Sequence, residues 1–149
     1  MAGFIPDEGE LQHLAEHLAA GEDWLLGLIT TDLTPSESDT ASTWTALEAS
    51  FSGYARKTLT RAVGPGNWGT PTSGAPVGSW SSESNVASSL YNVGTPQTWT
   101  AGTGASATVY GYFYLGATSG KLAFAEKLAV AQPIVEGTVI SIVPYFGFA

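Results

Sequence analysis

The sequence predicts a mostly β protein: an antiparallel β-sandwich of jelly-roll-like order with a short N-terminal helix. Hydrophobic residues make up 44% of the 149 residues and charged residues only 12%, which is typical of a chain that packs a core. The 18 glycines and 8 prolines, with many serines and threonines, indicate short strands joined by turns. Several segments rich in β-branched and aromatic residues recur at roughly ten-residue spacing, which favours a sandwich.

The first element is predicted to be a helical arm over residues 1–22, followed by the sandwich over 24–149, all within a single domain. Leu11, Leu14 and Leu18 recur at helical spacing and form one apolar stripe. A helix of about three turns is only marginally stable alone. We therefore expect the leucine stripe to dock either on the protein's own core or on a neighbouring subunit.

The next elements are a strand, a short helix and a second strand. Residues 24–31 are apolar and precede a turn-prone run at 32–39, so they are predicted to form a buried strand. A short helix is expected over 42–48, because Trp44 lies three residues before another apolar side chain. Residues 54–60 are predicted to form a strand.

A Gly/Pro/Ser-rich insertion is predicted at about residues 64–106, with one short strand over 97–100. Loops of this length are usually functional or ordered by a partner. Trp68 and Trp80 lie where little core is expected, and tryptophan is enriched at the centres of protein interfaces. We therefore predict that Trp68 and Trp80, together with the leucine stripe, form an interface with other proteins.

The C-terminal third is predicted to contain three strands, over residues 107–115, 121–127 and 138–146. The last of them places apolar residues at both odd and even positions, including Ile140 and Val143. A strand covered on both faces has this pattern. We therefore expect it to be a central element of the core.

The charge distribution disfavours nucleic acid as a partner. The net charge is −8, and ten of the thirteen acidic residues lie in the first 48 positions, where there is no lysine or arginine. Binding to phosphate backbones normally needs a cationic face. Arg56, Lys57 and Arg61 are too few to provide one. There is no cysteine for a disulfide or thiolate site, and neither a targeting segment nor a membrane span is predicted. We expect folding in a cytoplasm.

No motif predicts an enzyme, a cofactor or a metal. His13 and His17 match the H-x-x-E-H spacing of some zinc proteases, but they lie on the polar side of a short helix and lack a third ligand. The acidic run at 32–39 has the wrong spacing for a calcium loop. A pair of catalytic carboxylates would meet only in the fold, so the sequence leaves that arrangement open. Exposed aromatic residues that stack on sugars are the other open alternative.

Several segments, in order, resemble a group of small virion proteins of tailed bacteriophages. That group tends to contain "Leu-Gly-Leu-Phe-Thr-Asn-Asp-x-Thr-Pro", "Gly-Tyr-Ala-Arg", "Tyr-Gly-Tyr-Phe", "Leu-x-x-Ala-Glu" and "Gly-Asp-x-Leu-x-Val-x-Pro". The matching segments here are Leu26-Gly-Leu-Ile-Thr-Thr-Asp-Leu-Thr-Pro35, Gly53-Tyr-Ala-Arg56, Tyr110-Gly-Tyr-Phe113, Leu122-Ala-Phe-Ala-Glu126 and Gly137-Thr-Val-Ile-Ser-Ile-Val-Pro144. Ile29, Thr31 and Thr138 depart from the pattern, and residues 64–100 have no counterpart.

The resemblance implies a virion structural protein rather than an enzyme. Its leading implication is a head decoration (cement) protein with a jelly-roll-like sandwich, which binds the major capsid protein or other virion proteins and stabilises the shell by bridging its subunits. It also implies a homo-oligomer that is made in the host cytoplasm and located in the virion. The alternative is a tail, baseplate or fibre component that binds a host surface glycan.

Overall fold

The computed structural model describes residues 6–19, 21–74 and 86–148. It confirms a mostly β protein with antiparallel sheets and a short N-terminal helix, and the sheets of the described residues do not close into a barrel. No helix of the described residues is long and apolar enough to cross a bilayer. The elements are α1 (Asp7–Ala19), β1 (Trp24–Ile29), α2 (Ala41–Thr45), β2 (Lys57–Leu59), β3 (Thr72–Gly74), β4 (Val86–Leu90), β5 (Gln97–Thr100), β6 (Ser106–Gly116), β7 (Leu122–Val135), β8 (Val139–Ile142) and β9 (Tyr145–Phe148).

The chain divides into two compact units, each built from separate stretches of sequence. Unit 1 comprises Met1–Gly21, Thr60–Pro96 and Val143–Ala149, and unit 2 comprises Glu22–Leu59 and Gln97–Ile142. The chain passes between the units four times, so neither unit is a contiguous segment. That the whole chain folds as a single domain stays a prediction.

Unit 2 is built on a four-stranded antiparallel sheet in the order β2-β1-β6-β7. Gly27 of β1 lies opposite Phe113 of β6, and a side chain at Gly27 would place its Cβ 2.5 Å from the Phe113 ring. Phe113 packs in turn against Trp44 of α2, with ring centroids 6.1 Å apart. Glycine at position 27 therefore lets the aromatic ring of one strand lie over the backbone of the next.

A second, two-stranded sheet in unit 2 pairs β5 with β8. Trp99 of β5 is buried, and its indole nitrogen donates a hydrogen bond of 2.6 Å to the carbonyl of Ala55. On β8, Ile140 and Ile142 are buried while Val139 is exposed. This strand therefore buries one face only.

Unit 1 combines α1 with a three-stranded sheet in the order β3-β4-β9. Leu14 and Leu18 of α1 have no accessible surface, and the helix packs chiefly on β4. The segment before β3 makes a tight loop in which the amide of Trp68 donates to the carbonyl of Ala62, and the amide of Gly64 donates back to the carbonyl of Trp68. The Trp68 ring lies edge-on to Tyr91 at 5.3 Å.

The structure corrects two of the predicted strands. The segment predicted as one central strand over 138–146 is two strands, because Pro144 has no amide to donate and pairing stops before it. Its first half, β8, belongs to a two-stranded sheet and is not a central strand covered on both faces. The strand predicted over 54–60 is limited to Lys57–Leu59, since the side chains before it are held by other contacts.

Three further predictions were wrong in extent. β7 continues to Val135, well beyond the predicted end at residue 127. The insertion at 64–106 is more regular than its composition suggested, because β3 and β4 lie within it in addition to β5. β4 has the sequence VASSL, and four of its five residues are buried. The predicted helix over 42–48 is shorter, at Ala41–Thr45.

Candidate functional site

The predicted interface residues of the helix are mostly core residues of unit 1. Leu14 and Leu18 are completely buried, while Leu11 keeps part of its surface accessible. The side chains of Leu14 and Leu18 are thus already covered within this chain. The sequence left open whether the leucine stripe docks on the protein's own core or on a neighbouring subunit. Leu14 and Leu18 dock on the protein's own core.

The two tryptophans of the predicted interface have different outcomes. Trp68 has no accessible surface and packs against Tyr91. A partner could therefore not contact the Trp68 ring in this conformation, and an interface here would use its neighbours. Trp80 lies outside the described residues. Docking through this part of the chain stays a prediction.

The His13/His17 pair lies on the exposed side of α1, but one of its members is engaged elsewhere. The His17 ring stacks on Phe146 at 5.3 Å, and Arg61 donates a hydrogen bond to the His17 carbonyl. Burial, and to a lesser extent the charge of Arg61, lower the pKa of His17 below its ordinary 6.5. Acidification below that value therefore destabilises this contact, because the unfolded chain binds the proton more readily.

The acidic run at 32–39 makes local hydrogen bonds in the turn that precedes α2. The Asp39 carboxylate accepts hydrogen bonds of 3.0 Å from the amide of Ser36 and from the indole nitrogen of Trp44. Asp32 instead pairs with Lys127 at 2.5 Å. Within the described residues, no group of three or more histidine, aspartate or glutamate side chains is arranged to hold a metal ion.

One polar cluster in unit 2, formed by Glu48, Tyr54 and Arg56, was not predicted. Arg56 donates two hydrogen bonds to the Glu48 carboxylate, from Nε at 2.7 Å and from Nη2 at 2.6 Å. The Tyr54 hydroxyl donates to the same carboxylate at 2.6 Å and accepts the amide of Leu28 at 3.1 Å. The guanidinium of Arg56 also lies 5.9 Å from the centre of the Phe113 ring.

The charges of this cluster are stable at neutral pH. Burial is the largest single influence on Glu48 and disfavours its charge, but the hydrogen bonds from Arg56 and Tyr54 and the charge of Arg56 together hold its pKa below the ordinary 4.5. Burial and the adjacent carboxylate raise the pKa of Tyr54. At neutral pH Glu48 is therefore ionised and Tyr54 protonated, so neither is poised to exchange a proton. The cluster fixes the loop against β1.

An open cleft of about 460 Å³ lies in unit 2 between the end of β1, the loop at 50–52 and the start of β6. Its lining consists of small residues and one aromatic residue: Thr30, Ser50, Phe51, Ser52, Gly104, Ala105, Ser106, Ala107 and Thr108. Five of these nine carry hydroxyl groups and none is ionisable. The cleft has the size of a ligand site but offers neither a nucleophile–base pair nor a carboxylate pair.

The exposed apolar surface of unit 2 lies on β7 and just beyond it. Val130, Val135 and Val139 are 70%, 63% and 58% exposed. No charged residue stands between Lys127 and Glu136 in the sequence. β7 is at the edge of its sheet, and its register against β6 shifts between Val109 and Gly111, which marks a bulge near Val130. This surface can bind apolar groups but has no chemistry of its own.

Four of the five segments that carry the phage resemblance contact one another in unit 2: 26–35, 53–56, 110–113 and 122–126. Gly27 lies under Phe113, and the Tyr112 hydroxyl donates to the carboxylate of Glu126. The Tyr54 hydroxyl accepts the amide of Leu28. Comparison with protein-family models, with curated proteins and with solved structures finds no match to this chain. Its function therefore has to be inferred from these residues.

Sequence reasoning missed the cleft, the Glu48 cluster and the exposed valines for different reasons. The cleft is made of small residues that carry no motif. The cluster contains Tyr54, which the sequence offered only within a motif match, and Arg56, which it offered also as one of three clustered cations, while Glu48 is one of thirteen acidic residues. The valines resemble any strand residues until the edge of the sheet is known. The one usable signal for the cluster was that Tyr54 and Arg56 are two residues apart. This spacing allows both side chains to reach the same carboxylate.

Proposed function

We propose that this chain is a virion structural protein of a tailed bacteriophage that binds the capsid surface and stabilises the shell by bridging capsid subunits. It acts as a decoration (cement) protein and not as an enzyme. Its partners are the major capsid protein and further copies of itself, and it is made in the host cytoplasm. The ordered sequence matches support the choice of this group, and residues of four of the five matched segments contact one another in unit 2.

The structural observation that carries the binding role is the exposed apolar surface of Val130, Val135 and Val139. Apolar side chains exposed in this way can mark an interaction site, because a partner that covers them removes their surface from water. Within the described residues, no group of three or more histidine, aspartate or glutamate side chains could hold a metal ion, and a binding role requires none. Interfaces between virion proteins are stabilised by burial of this kind of surface.

The jelly-roll-like sandwich is part of the same proposal. Its support is that every pairing between the named strands is antiparallel and that the strands form several short sheets. An experimental structure of the protein on its particle tests it. Two face-to-face sheets joined by Greek-key connections are expected, and any other arrangement overturns this part of the proposal.

The experiment for the binding role uses shells of the phage that encodes this chain, prepared without it. We expect purified protein to co-sediment with these shells, and density for it to appear on the head by cryo-electron microscopy. Replacing Val130 and Val135 together by serine is expected to weaken binding by about tenfold or more, roughly 1.4 kcal/mol. Val63→Ser is the matched control, because Val63 is also exposed but lies in unit 1. Binding to tails alone, or to neither structure, contradicts the proposal.

A tail, baseplate or fibre component that binds a host glycan is the second candidate. The observation that favours it is the uncharged, hydroxyl-lined cleft, since hydroxyl groups hydrogen-bond readily with sugars. Phe51 is the only aromatic residue of the lining and is 9% exposed, so the cleft offers no open ring for a sugar to stack on. Glycan binding by the protein, without binding to shells, favours this candidate.

A further inference from the structure

The strand β6 is longer than the strand beside it. β1 pairs with β6 only from Gly116 back to Gly111, where its last residue, Ile29, lies opposite. β6 begins at Ser106, and on its other side residues 106–109 pair with residues 132–135 of β7, whereas Tyr110 lies at a shift of register. Among the described strands, residues 106–109 therefore have a neighbour on one side only.

The backbone of this stretch is oriented by β7. Val135 lies opposite Ser106, but its amide donates to Thr138 Oγ1 at 3.1 Å and its carbonyl accepts the Thr138 amide at 2.9 Å. Pro133, opposite Thr108, has no amide hydrogen. Opposed residues of antiparallel strands alternate between hydrogen-bonded and non-bonded pairs. The amide and carbonyl groups of Ser106 and Thr108 thus point away from β7, towards the line along which β1 would have continued.

The hydroxyl-lined cleft occupies the space on that side of β6. Ser106 and Thr108 belong to its lining, facing Thr30 and the loop at 50–52. Within the described residues, no hydrogen bond engages the hydroxyls of Thr30, Ser50, Ser52, Ser106 or Thr108. The hydroxyls of residues 36–43 in the same unit differ, since Ser36, Ser38, Thr40, Ser42 and Thr43 bond to one another or to nearby amides.

We propose that this cleft binds an extended, uncharged segment of a protein partner, which adds as a strand along Ser106–Thr108. The amide and carbonyl groups of alternate residues at a sheet edge are the groups to which an added strand forms its main-chain hydrogen bonds. The lining has no ionisable side chain, so a charged residue inserted here would lose hydration without gaining a partner. Ala105, Ala107 and Gly104 leave room for the side chains of the segment. The proposal concerns how a protein is bound and does not depend on the capsid role.

The test uses isotope-labelled full-length protein and a panel of capped pentapeptides made of Ser, Thr, Val and Ala. We expect millimolar peptide to shift the amide resonances of Ser106 and Thr108 and of the loop at 50–52. Analogues with the same side chains but N-methylated at every residue should shift none of them, because neither edge of such a peptide can donate to β6. Ser50→Tyr narrows the cleft and should weaken peptide binding by about tenfold. Thr98→Tyr is the control, since Thr98 is also an exposed residue of unit 2 outside the cleft.

Three outcomes overturn the proposal: no shifts with any peptide of the panel, equal shifts with the N-methylated analogues, or saturable shifts at the cleft with maltotriose in place of peptides. The Ser50→Tyr and Thr98→Tyr variants must both retain the dispersed spectrum of the parent protein. A Thr108→Val variant, which keeps the backbone and loses one hydroxyl, should still bind the peptides. Its failure would also contradict backbone recognition. Since no shells are used, these results are independent of the test of the capsid role.

Discussion

The two halves of β6 have similar β-forming sequences but opposite surroundings. Residues 111–116 are all buried and lie between β1 and β7. Among the described strands, residues 106–109 pair with β7 alone, and of residues 106–110 only Val109 is buried. Residues 111–116 should tolerate substitution poorly, because they lie in a packed core. Residues 106–110 include backbone groups that bond to no described strand. The difference shows that a strand's role depends on how far its neighbour extends, not on its own composition.

Of the substitutions considered, Phe113→Ala in residues 111–116 should lower the stability of the protein most. The ring is completely buried and packs over Gly27 and against Trp44. Its loss removes transfer energy and leaves a cavity, so we expect the free energy of unfolding to fall by about 3–5 kcal/mol. Denaturant melts of the variant measure this loss. Phe124→Ala is the control and should cost less, because Phe124 is only half-buried. A loss below about 1 kcal/mol for Phe113→Ala would mean that this half is not the core.

Gly27→Ala tests whether the close approach of β1 to β6 is required. The added Cβ would lie 2.5 Å from the Phe113 ring, so the ring must move or the strands must separate. We expect a loss of about 1–3 kcal/mol in the same melts. Combining Gly27→Ala with Phe113→Leu should cost less than the sum of the two single changes, because the clash is removed. Strict additivity would show that the two residues do not interact.

Glu48→Gln probes the polar cluster that fixes the loop against β1 next to the buried half. The variant keeps the shape but loses the charge that Arg56 binds, so we expect a loss of about 1 kcal/mol near neutral pH. Glu48 has a lowered pKa in the folded protein. Its contribution is therefore complete above about pH 5 and disappears as the pH falls below the ordinary value of 4.5. Melts of both proteins from pH 7 to pH 3 should converge. A constant difference would assign the effect to something other than this ionisation.

Substitutions of side chains in residues 106–110 should change the stability of the protein very little. Ser106→Ala and Thr108→Val each remove a hydroxyl that bonds to no described residue and leave the backbone unchanged. We expect the free energy of unfolding to change by less than about 0.5 kcal/mol for either variant. Thermal or denaturant melts of the two variants are sufficient to measure it. A loss above about 1 kcal/mol would show that these hydroxyls support the fold, and the contrast between the halves would weaken.

Much of unit 2 could be predicted from local sequence. The apolar run at 24–29 and the alternating aromatic residues of 107–115 specify strands by themselves, because burial of such side chains needs an extended, packed surface. The leucine stripe of α1 likewise predicted a helix with one buried side. β4 could not be predicted, since its alanine and serines carry no periodic signal and are buried only because β3 and β9 flank them.

The candidate sites were less predictable than the fold. Trp68 was assigned to an interface because its neighbours are glycine and proline, yet Tyr91, more than twenty residues later, covers its ring. Glu48 became distinctive only when Tyr54 and Arg56 reached it. Sequence describes the chemistry of each of these side chains, whereas their contacts join residues separated by loops.

The sequence by itself determined the mostly β class, the N-terminal helix and most of the strands, because these follow from side-chain periodicity and turn residues within short windows. The tertiary structure decided where β1 ends against β6 and which hydroxyls bond internally. These features depend on register between strands that are distant in the chain, and no local pattern encodes a register. The cleft along Ser106–Thr108 exists because one strand is shorter than its neighbour, which is a property of the pair and not of either sequence segment.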